Sequence, residues 1–346
     1  MISICLPALN AGQYLRERWK SICAQSFQDW ELIICDSHSD DGSWELLQSL
    51  AATDQRVSLN RVPREGIYAG INECIRRASG DFIYIATADD TMEPECLEQL
   101  LEALQNHSEC GMVQCALRII DENGVSLPEA EQWERYTLGM YDPKLVSRPN
   151  KRMAPHDGLL HPGLLTIYTS LTQLLIRKSV FDRCGLFDGR WGAISDFEWG
   201  MRVGLLENCV YIPEKLATWR HHASQATDHA DTYVRREKML QMVNAAFEKS
   251  VTISGGGVRS SWSQYAGHLL ERDLIQMRIQ EWRSGQCTLG MLLKEILLCP
   301  SAFLGHLKDE CLNKHWGQWH HGNRYRMISR LLKKCMSPEP VFLDSK

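Results

Sequence analysis

No apolar run in the sequence reaches the roughly 18 residues that a membrane-spanning helix requires, and no basic leader precedes the first apolar run, Met1 to Leu6. A cleaved secretory signal is therefore not expected, and the expected compartment is the cytoplasm. Cationic excess is also missing. A net charge of −5, from 38 Lys and Arg against 43 Asp and Glu, argues against a protein whose main task is neutralising nucleic-acid phosphates, so no nucleic-acid partner is expected. The 13 cysteines show no zinc or redox spacing. Cys5, Cys35, Cys74 and Cys209 stand among Ile, Leu and Val, where a free thiol behaves as a small hydrophobe, as suits a reducing compartment. No internal repeat is visible. With 44% hydrophobic and 23% charged residues, the chain does not read as disordered, collagen-like or coiled-coil. Its 346 residues suffice for one large domain, or for one domain with an appendage.

What is present is alternation. Ile2 to Leu6, Glu31 to Cys35, Val57 to Val62, Asp81 to Ala86 and Gly111 to Ile119 are short, β-branched apolar runs that predict strands. Between them, apolar residues recur at helical spacing: Leu15, Trp19 and Ile22; Trp44, Leu47 and Leu50; Ile71, Cys74, Ile75 and Ala78; Leu97, Leu100, Leu101 and Leu104. Strict alternation predicts an α/β fold with right-handed crossovers and a mostly parallel sheet that binds ligands at the carboxyl ends of its strands. From Asp121 to Gly163 the pattern dissolves into a polar, proline-containing stretch that reads either as a functional loop or as a poorly ordered segment. Order returns as a strand over Leu171 to Ile176, a helix over Asp196 to Leu206 and a strand over Cys209 to Ile212. Residues 1–228 then form the main domain and 229–346 a helical appendage, with helices over Leu269 to Trp282 and Leu289 to Leu298. Gly255 to Gly257 lacks the strand and Lys of a phosphate-binding loop and reads as a linker.

Carboxylates gather at the predicted strand ends. Asp36, Asp40 and Asp41 follow the second strand, and Asp89 with Asp90 follows the fourth. Asp40, Asp41 and Gly42 can serve equally as a turn and helix cap or as ligands. The adjacent pair Asp89 and Asp90 repels itself at the end of a buried strand unless a proton or a cation relieves it. A hard divalent cation, Mg²⁺ or Mn²⁺, shared with phosphate oxygens would do so.

In order and spacing these residues resemble glycosyltransferase family 2. The resemblance rests on Pro7-Ala8-Leu9-Asn10, on Asp36 with Ser39, Asp41 and Gly42, on Gly66 through Asn72, and on Ala78-Ser79-Gly80-Asp81 leading to Asp89-Asp90. It continues through His161, Ile176-Arg177, Gly185-Leu186-Phe187-Asp188 and Ser195-Asp196-Phe197-Glu198-Trp199 with Arg202, and ends near Arg220 and His222. The resemblance implies an A-type, Rossmann-like nucleotide-sugar fold that transfers one sugar with inversion, in a group associated with bacterial surface polysaccharides. It places Pro7, Ala8, Asn10, Asp36, Ser39, Tyr68 and Asn72 at the nucleotide, with Asp89 at ribose and metal and Asp90 at the metal. Arg220 and His222 fall near the diphosphate, and Asp196 falls at the position of the base. Two departures stand out: Thr87 replaces the first carboxylate of an Asp-x-Asp motif, and Ser37 replaces a second Asp.

The chemistry agrees with that reading. Displacing a nucleoside diphosphate from an anomeric carbon needs positive charge on the leaving phosphates and a base for the attacking hydroxyl. Asp196 opens a helix, where an acid is favoured in any case by the dipole, and Glu198 is the alternative carboxylate. The pairs His221-His222 and His320-His321 do not suggest metal sites, because adjacent side chains point apart. Lys314 to Lys334 mixes six cations with Trp316, Trp319 and Tyr325 and has no acid. It suits either an anionic membrane surface, where lipid-linked acceptors reside, or a solvated helix face packed on the domain. Two other activities share features of the sequence, a nucleotidyltransferase and a non-catalytic carbohydrate-binding protein. The first normally carries a basic Gly-rich loop after strand one, where this chain reads Asn10-Ala11-Gly12-Gln13.

Overall fold

The computed structural model describes residues 1–128, 142–164, 166–222 and 232–254, with parts of 275–300 and 332–343. The first half follows the alternation: β1 (Ile2–Ala8), α1 (Gly12–Cys23), β2 (Trp30–Asp36), α2 (Ser43–Ala51), β3 (Val57–Arg61), α3 (Ile67–Arg77), β4 (Phe82–Ile85), α4 (Cys96–Asn106) and β5 (Met112–Ile120). All seven residues of β1 are buried, as expected of a strand covered on both faces. β1 pairs in parallel with β2 and β4, and β2 with β3. Their register sets Ala8 beside Asp36 and Cys5 beside Ile85, so the carboxyl ends of β1, β2 and β4 open on one edge of the sheet. That edge carries the three acidic or polar clusters read from the sequence.

The second half adds β6 (Asn150–Arg152), β7 (Leu174–Arg177), β8 (Cys209–Arg220) and the short β9 (Val341–Phe342), and the sheet runs β3-β2-β1-β4-β7-β5-β8-β6-β9. β7 is antiparallel to both β4 and β5, and β6 is antiparallel to β8 and β9, whereas β5 and β8 are parallel. The sheet is thus mixed but mostly parallel, as the alternation implied. β8 extends well past the expected Cys209 to Ile212. Pro213 interrupts the apolar run, but the register shift opposite Cys115 and Ala116 bulges the proline out and lets pairing resume at Lys215.

The polar stretch expected as a functional loop or a poorly ordered segment is ordered where it is described. It contains α5 (Lys144–Ser147), β6 and α6 (His156–Leu164). Leu145, Leu159 and Leu160 of this stretch are buried in the core, and a buried polar network packs beside them without adding apolar periodicity. Arg152 and Asp157, both buried, meet at 2.8 Å, and the same Asp157 accepts a hydrogen bond from the Tyr168 hydroxyl at 3.0 Å.

Helices cover both faces. α1, α2 and α4 pack on one. α3, α6, α7 (Lys178–Cys184), α8 (Ser195–Leu206) and α9 (Thr232–Ser254) share the core on the other. Met239, Met242, Val243, Ala246 and Phe247 of α9 belong to that core, and Lys249 reaches Asp188 at 3.0 Å. Residues 239–247 of α9 thus pack in the core shared with the helices of residues 1–228. α10 (Leu289–Leu298) matches its expected span. Gly255 to Gly257, His320, His321 and nearly all of Lys314 to Lys334 lie outside the described residues.

Candidate active site

A cavity of about 540 Å³ opens at the carboxyl edge of β1 and β4. It is lined by Pro7 to Ala11, by Thr87 to Asp90, by Ile67 and Tyr68 of α3, by Asp196 of α8, and by Trp219 and His222 from the end of β8. Of the residues expected to form the site, the structure therefore brings together Pro7, Ala8, Asn10, Tyr68, Asp89, Asp90, Asp196 and His222.

The loop after β1 is fastened to the loop after β2. Asn10 donates through Nδ2 to Asp40 at 2.8 Å and accepts from the Asp40 N–H at 3.0 Å, while its own N–H donates to the Ser39 hydroxyl at 3.0 Å. The Asn10 backbone sits at φ 49°, a left-handed conformation that Asn tolerates better than most residues. Asp41 accepts from the N–H groups of Gly12 and Ser43. Burial pushes its carboxyl up, but these donors outweigh it and hold it below its usual range. Asp41 thus holds the first N–H groups of α1 and α2, and Asp40 is engaged by Asn10, so both are taken up by the turn.

Asp36, Ser39, Asn72 and Arg220 do not line the cavity. Asp36 is buried behind it and accepts from the N–H and hydroxyl of Ser39. The Asn72 amide is occupied by Phe187, donating to its carbonyl at 2.8 Å and accepting from its N–H at 3.1 Å. Arg220, 1% exposed, donates to the backbone carbonyls of Asp89, Asp121 and Glu122 and to the Glu17 carboxylate. Its guanidinium fastens loops together rather than facing the cavity where a diphosphate contact was expected.

The acidic pair is asymmetric. Asp90 is 2% exposed and accepts from the Arg220 N–H at 2.7 Å and from the Thr87 hydroxyl. Thr87, standing where similar sequences have a carboxylate, here holds Asp90 in place. Burial, then the neighbouring Asp89 charge, pushes the Asp90 carboxyl up to about 7. Asp89 is more open, and its Oδ2 lies 3.1 Å from Nε2 of the half-buried His222. Asp89, Asp90 and His222 face the same cavity. Among the described residues, no three His, Cys, Asp or Glu side chains are arranged to hold a metal by themselves.

Asp196 stands in the first turn of α8 and accepts from the Phe197 N–H at 2.9 Å. Burial pushes its carboxyl up, and hydrogen bonding from Tyr68 and from Phe197 draws it back. The Tyr68 hydroxyl also reaches the Ala193 carbonyl at 3.3 Å, which ties α3 to the segment before α8. Glu198 faces the other way. It is fully buried and bidentate to Arg202 at 2.8 and 2.9 Å, and Arg202 in turn donates to the carbonyls of Cys184, Gly185 and Leu186. Glu198→Gln is expected to lower unfolding stability in urea by about 3–5 kcal/mol, because it strands a buried guanidinium. A loss below about 1 kcal/mol would show that this pair does not hold α8 in place.

Trp219, Tyr14 and the Thr169 to Leu171 turn also line the cavity, and none stood out in the sequence. Trp219 is hidden by Pro213, which ends the strand signal before the chain reaches it; the alternation resuming after Lys215 is the clue that could have found it.

Comparisons with known proteins agree with this geometry. The family model described as Glycosyl transferase family 2 matches residues 3–183. The EpsE protein of Bacillus subtilis (strain 168) is 31% identical over 126 residues, covering 36% of this chain and 45% of that protein. A chondroitin synthase of Escherichia coli is 28% identical over 137 residues, covering 40% of this chain and 20% of the synthase. The chain thus spans less than half the length of these relatives. Among solved structures, residues 1–349 of Staphylococcus aureus TarS in complex with UDP-GlcNAc superpose with a TM-score of 0.54 at 14% identity, over 80% of each chain. The mannosyltransferase PcManGT of Pyrobaculum calidifontis, in complex with GDP-Man and Mn²⁺, gives 0.53 at 15% identity over 97% of this chain and 86% of that one. These likenesses establish the fold. With the family model covering more than half of the sequence and the cavity at the edge where its motifs converge, the chain belongs to glycosyl transferase family 2.

Proposed function

We propose that this glycosyltransferase moves a sugar from a nucleotide donor, a UDP-sugar, to a glycan or lipid-linked acceptor in polysaccharide synthesis, with inversion at the anomeric carbon. The observation that carries the reading is one cavity bounded by the β1 loop, by the acidic pair after β4 and by Asp196. Pro7, Ala8, Asn10 and Tyr68 line the nucleotide side. Asp36, Ser39 and Asn72 support that wall from behind, through the hydrogen bonds that fix its loops.

The donor set fits Mg²⁺ or Mn²⁺. Two carboxylates are too few to enclose a cation, but they suit one that takes its remaining ligands from phosphate and water. Among the described residues lining the cavity there is no Lys or Arg, so the positive charge that a departing diphosphate needs must come from elsewhere. Asp89 and Asp90 would hold the cation, which when bound would supply Lewis-acid stabilisation of the diphosphate, with His222 on the diphosphate side beside Asp89. Asp196 is the group of this chain that accepts the proton of the acceptor hydroxyl. Its place in the first turn of α8 orients the carboxylate, and the helix dipole favours its ionised form.

The reading is tested by thermal shift with UDP and UDP-sugars, with and without manganese, followed by analysis of the product's anomeric configuration by NMR. Saturation at 100 times the dissociation constant should add about 2.7 kcal/mol of stability. A product that retains the donor's configuration would overturn the single displacement.

A further inference from the structure

Tyr68 and Asn72 stand one turn apart on α3, so they share a face of that helix, and both reach the segment that leads into α8. The Asn72 amide holds the Phe187 backbone by two hydrogen bonds, and the Tyr68 ring lies against the Phe187 ring with centroids 5.4 Å apart. Further along, the Ser195 hydroxyl lies 2.9 and 2.8 Å from the carbonyls of Asp188 and Gly192, which closes the turn before α8 on itself. Asp196 therefore follows a segment that α3 holds at one end and Ser195 locks at the other. Its carboxylate is less fixed. The Phe197 N–H takes Oδ1, which leaves the rotation of the group to be set by another donor. The Tyr68 hydroxyl stands at that point. It is 3.3 Å from the Ala193 carbonyl, longer than the roughly 2.7–2.8 Å of a fully formed O–H···O bond, and within hydrogen-bonding reach of the Asp196 carboxylate. Tyr68, Ala193 and Asp196 line the same cavity.

We infer that Tyr68 is a positioning residue for the base: its hydroxyl donates to the ionised Asp196 carboxylate and turns to the Ala193 carbonyl once Asp196 holds the acceptor's proton. The inference deepens the proposed function and rests on its reading of Asp196 as the base. Charge decides between the two oxygens. A hydrogen bond to an ionised carboxylate is roughly twice as strong as one to a neutral carbonyl, so before transfer the hydrogen faces Asp196, and after transfer that advantage is gone. No proton leaves Tyr68. The acceptor O–H breaks, its proton goes to Asp196 and its electron pair forms the bond to the anomeric carbon. The bond from that carbon to the diphosphate oxygen breaks, and its pair leaves on the diphosphate. Burial, then the Asp196 charge, pushes the Tyr68 phenol well above its ordinary range, which keeps its hydrogen in place throughout. The second donor costs Asp196 some basicity but fixes which lone pair faces the acceptor, and a misplaced reacting group can cost about 10²-fold. The family resemblance sets Tyr68 at the nucleotide. Its ring does form part of the cavity wall, whereas its hydroxyl ends at the base.

The test is Tyr68→Phe in the full chain, which keeps the ring and its contact with Phe187. Release of UDP from the UDP-sugar that stabilises the parent most is expected to slow by about tenfold, the worth of one hydrogen bond to a charged group. Stabilisation by UDP with manganese and the urea midpoint should stay at the parent's values. The acid limb of kcat/KM should move to higher pH, because a carboxylate that loses a donor is easier to protonate. In an Asp196→Asn background the same substitution should cost almost nothing further, as for two residues that act through one contact. Carboxyl-labelled aspartate NMR, with Asp196→Asn identifying the signal, reads the contact without any substrate: Asp196 should titrate at higher pH in Tyr68→Phe. The inference is overturned if turnover, acid limb and titration are those of the parent. It is also overturned if the loss falls on UDP binding and persists in the Asp196→Asn background, which would return Tyr68 to the nucleotide. Near-normal turnover in Asp196→Asn removes the base reading itself, whereas parental behaviour of Tyr68→Phe beside an inactive Asp196→Asn removes only the role of Tyr68.

Discussion

Asp196→Asn is expected to reduce turnover by at least about 10²-fold, within the range by which a positioned base accelerates proton transfer, while the affinity for donor stays near that of the parent. The substitution preserves shape. An amide oxygen can still accept the Phe197 N–H that now donates to Oδ1 at 2.9 Å, so α8 keeps its first turn. What is lost is basicity, and an effect confined to turnover identifies a group that acts in the transition state. The pH profile gives a second reading. Burial raises the Asp196 carboxyl, so the acid limb of kcat/KM should lie above the pH of an ordinary Asp. Glu198 is unsuitable as a control despite its proximity in sequence, because its buried pairing with Arg202 couples any substitution to stability. Near-normal turnover in Asp196→Asn, with donor binding and urea stability intact, would remove Asp196 from the chemistry.

The positions of Asp89 and Asp90 are legible in the sequence because strand-end placement is a backbone property, whereas Asp196, in the first turn of a helix, is reached through the family resemblance. Once β1, β2 and β4 are parallel and in register, whatever follows them converges on one edge. What the neighbouring polar groups do there is less visible. Asn72 and Arg220 have the chemistry of ligands, yet the structure commits them to Phe187 and to the loops around Asp89. A side chain's choice between a ligand and a backbone carbonyl depends on segments remote in sequence, as with Asn72 and Phe187, 115 residues apart. Thr87 shows the converse. As a departure from the family pattern it reads as a lost ligand, but its hydroxyl holds Asp90. Within the stretch before Gly163, the ordered segments Lys144–Ser147, Asn150–Arg152 and His156–Leu164 are hidden for a related reason. Arg152, Asp157 and Tyr168 help to pack them through a polar network, and such a network leaves no periodicity to detect.

Asp90→Asn is expected to abolish the manganese-dependent part of donor binding and to remove a pH dependence of stability in the protein without metal. The Asp90 carboxyl is pushed up to about 7, first by burial and then by Asp89, against the pull of Thr87 and the Arg220 N–H. In the unfolded chain it returns to the ordinary Asp range. The folded state therefore binds more protons between about pH 4 and pH 7, and stability falls as pH rises through that window. A shift of this size corresponds to at most about 4 kcal/mol, and the side chain is 2% exposed, so solvent screens little of it. The amide introduced by the substitution stays neutral and keeps an oxygen for the Arg220 N–H, and the variant should gain on the parent steadily as pH rises. Manganese acts on the parent in the opposite sense. It binds the ionised carboxylate and must displace the proton, so its affinity should climb with pH until Asp90 is ionised. Urea unfolding from about pH 4 to about pH 8, with and without manganese and UDP, separates the two effects. Equal manganese-dependent stabilisation in parent and variant would place the cation elsewhere, and parallel pH profiles would show that Asp90 is already ionised in the folded protein.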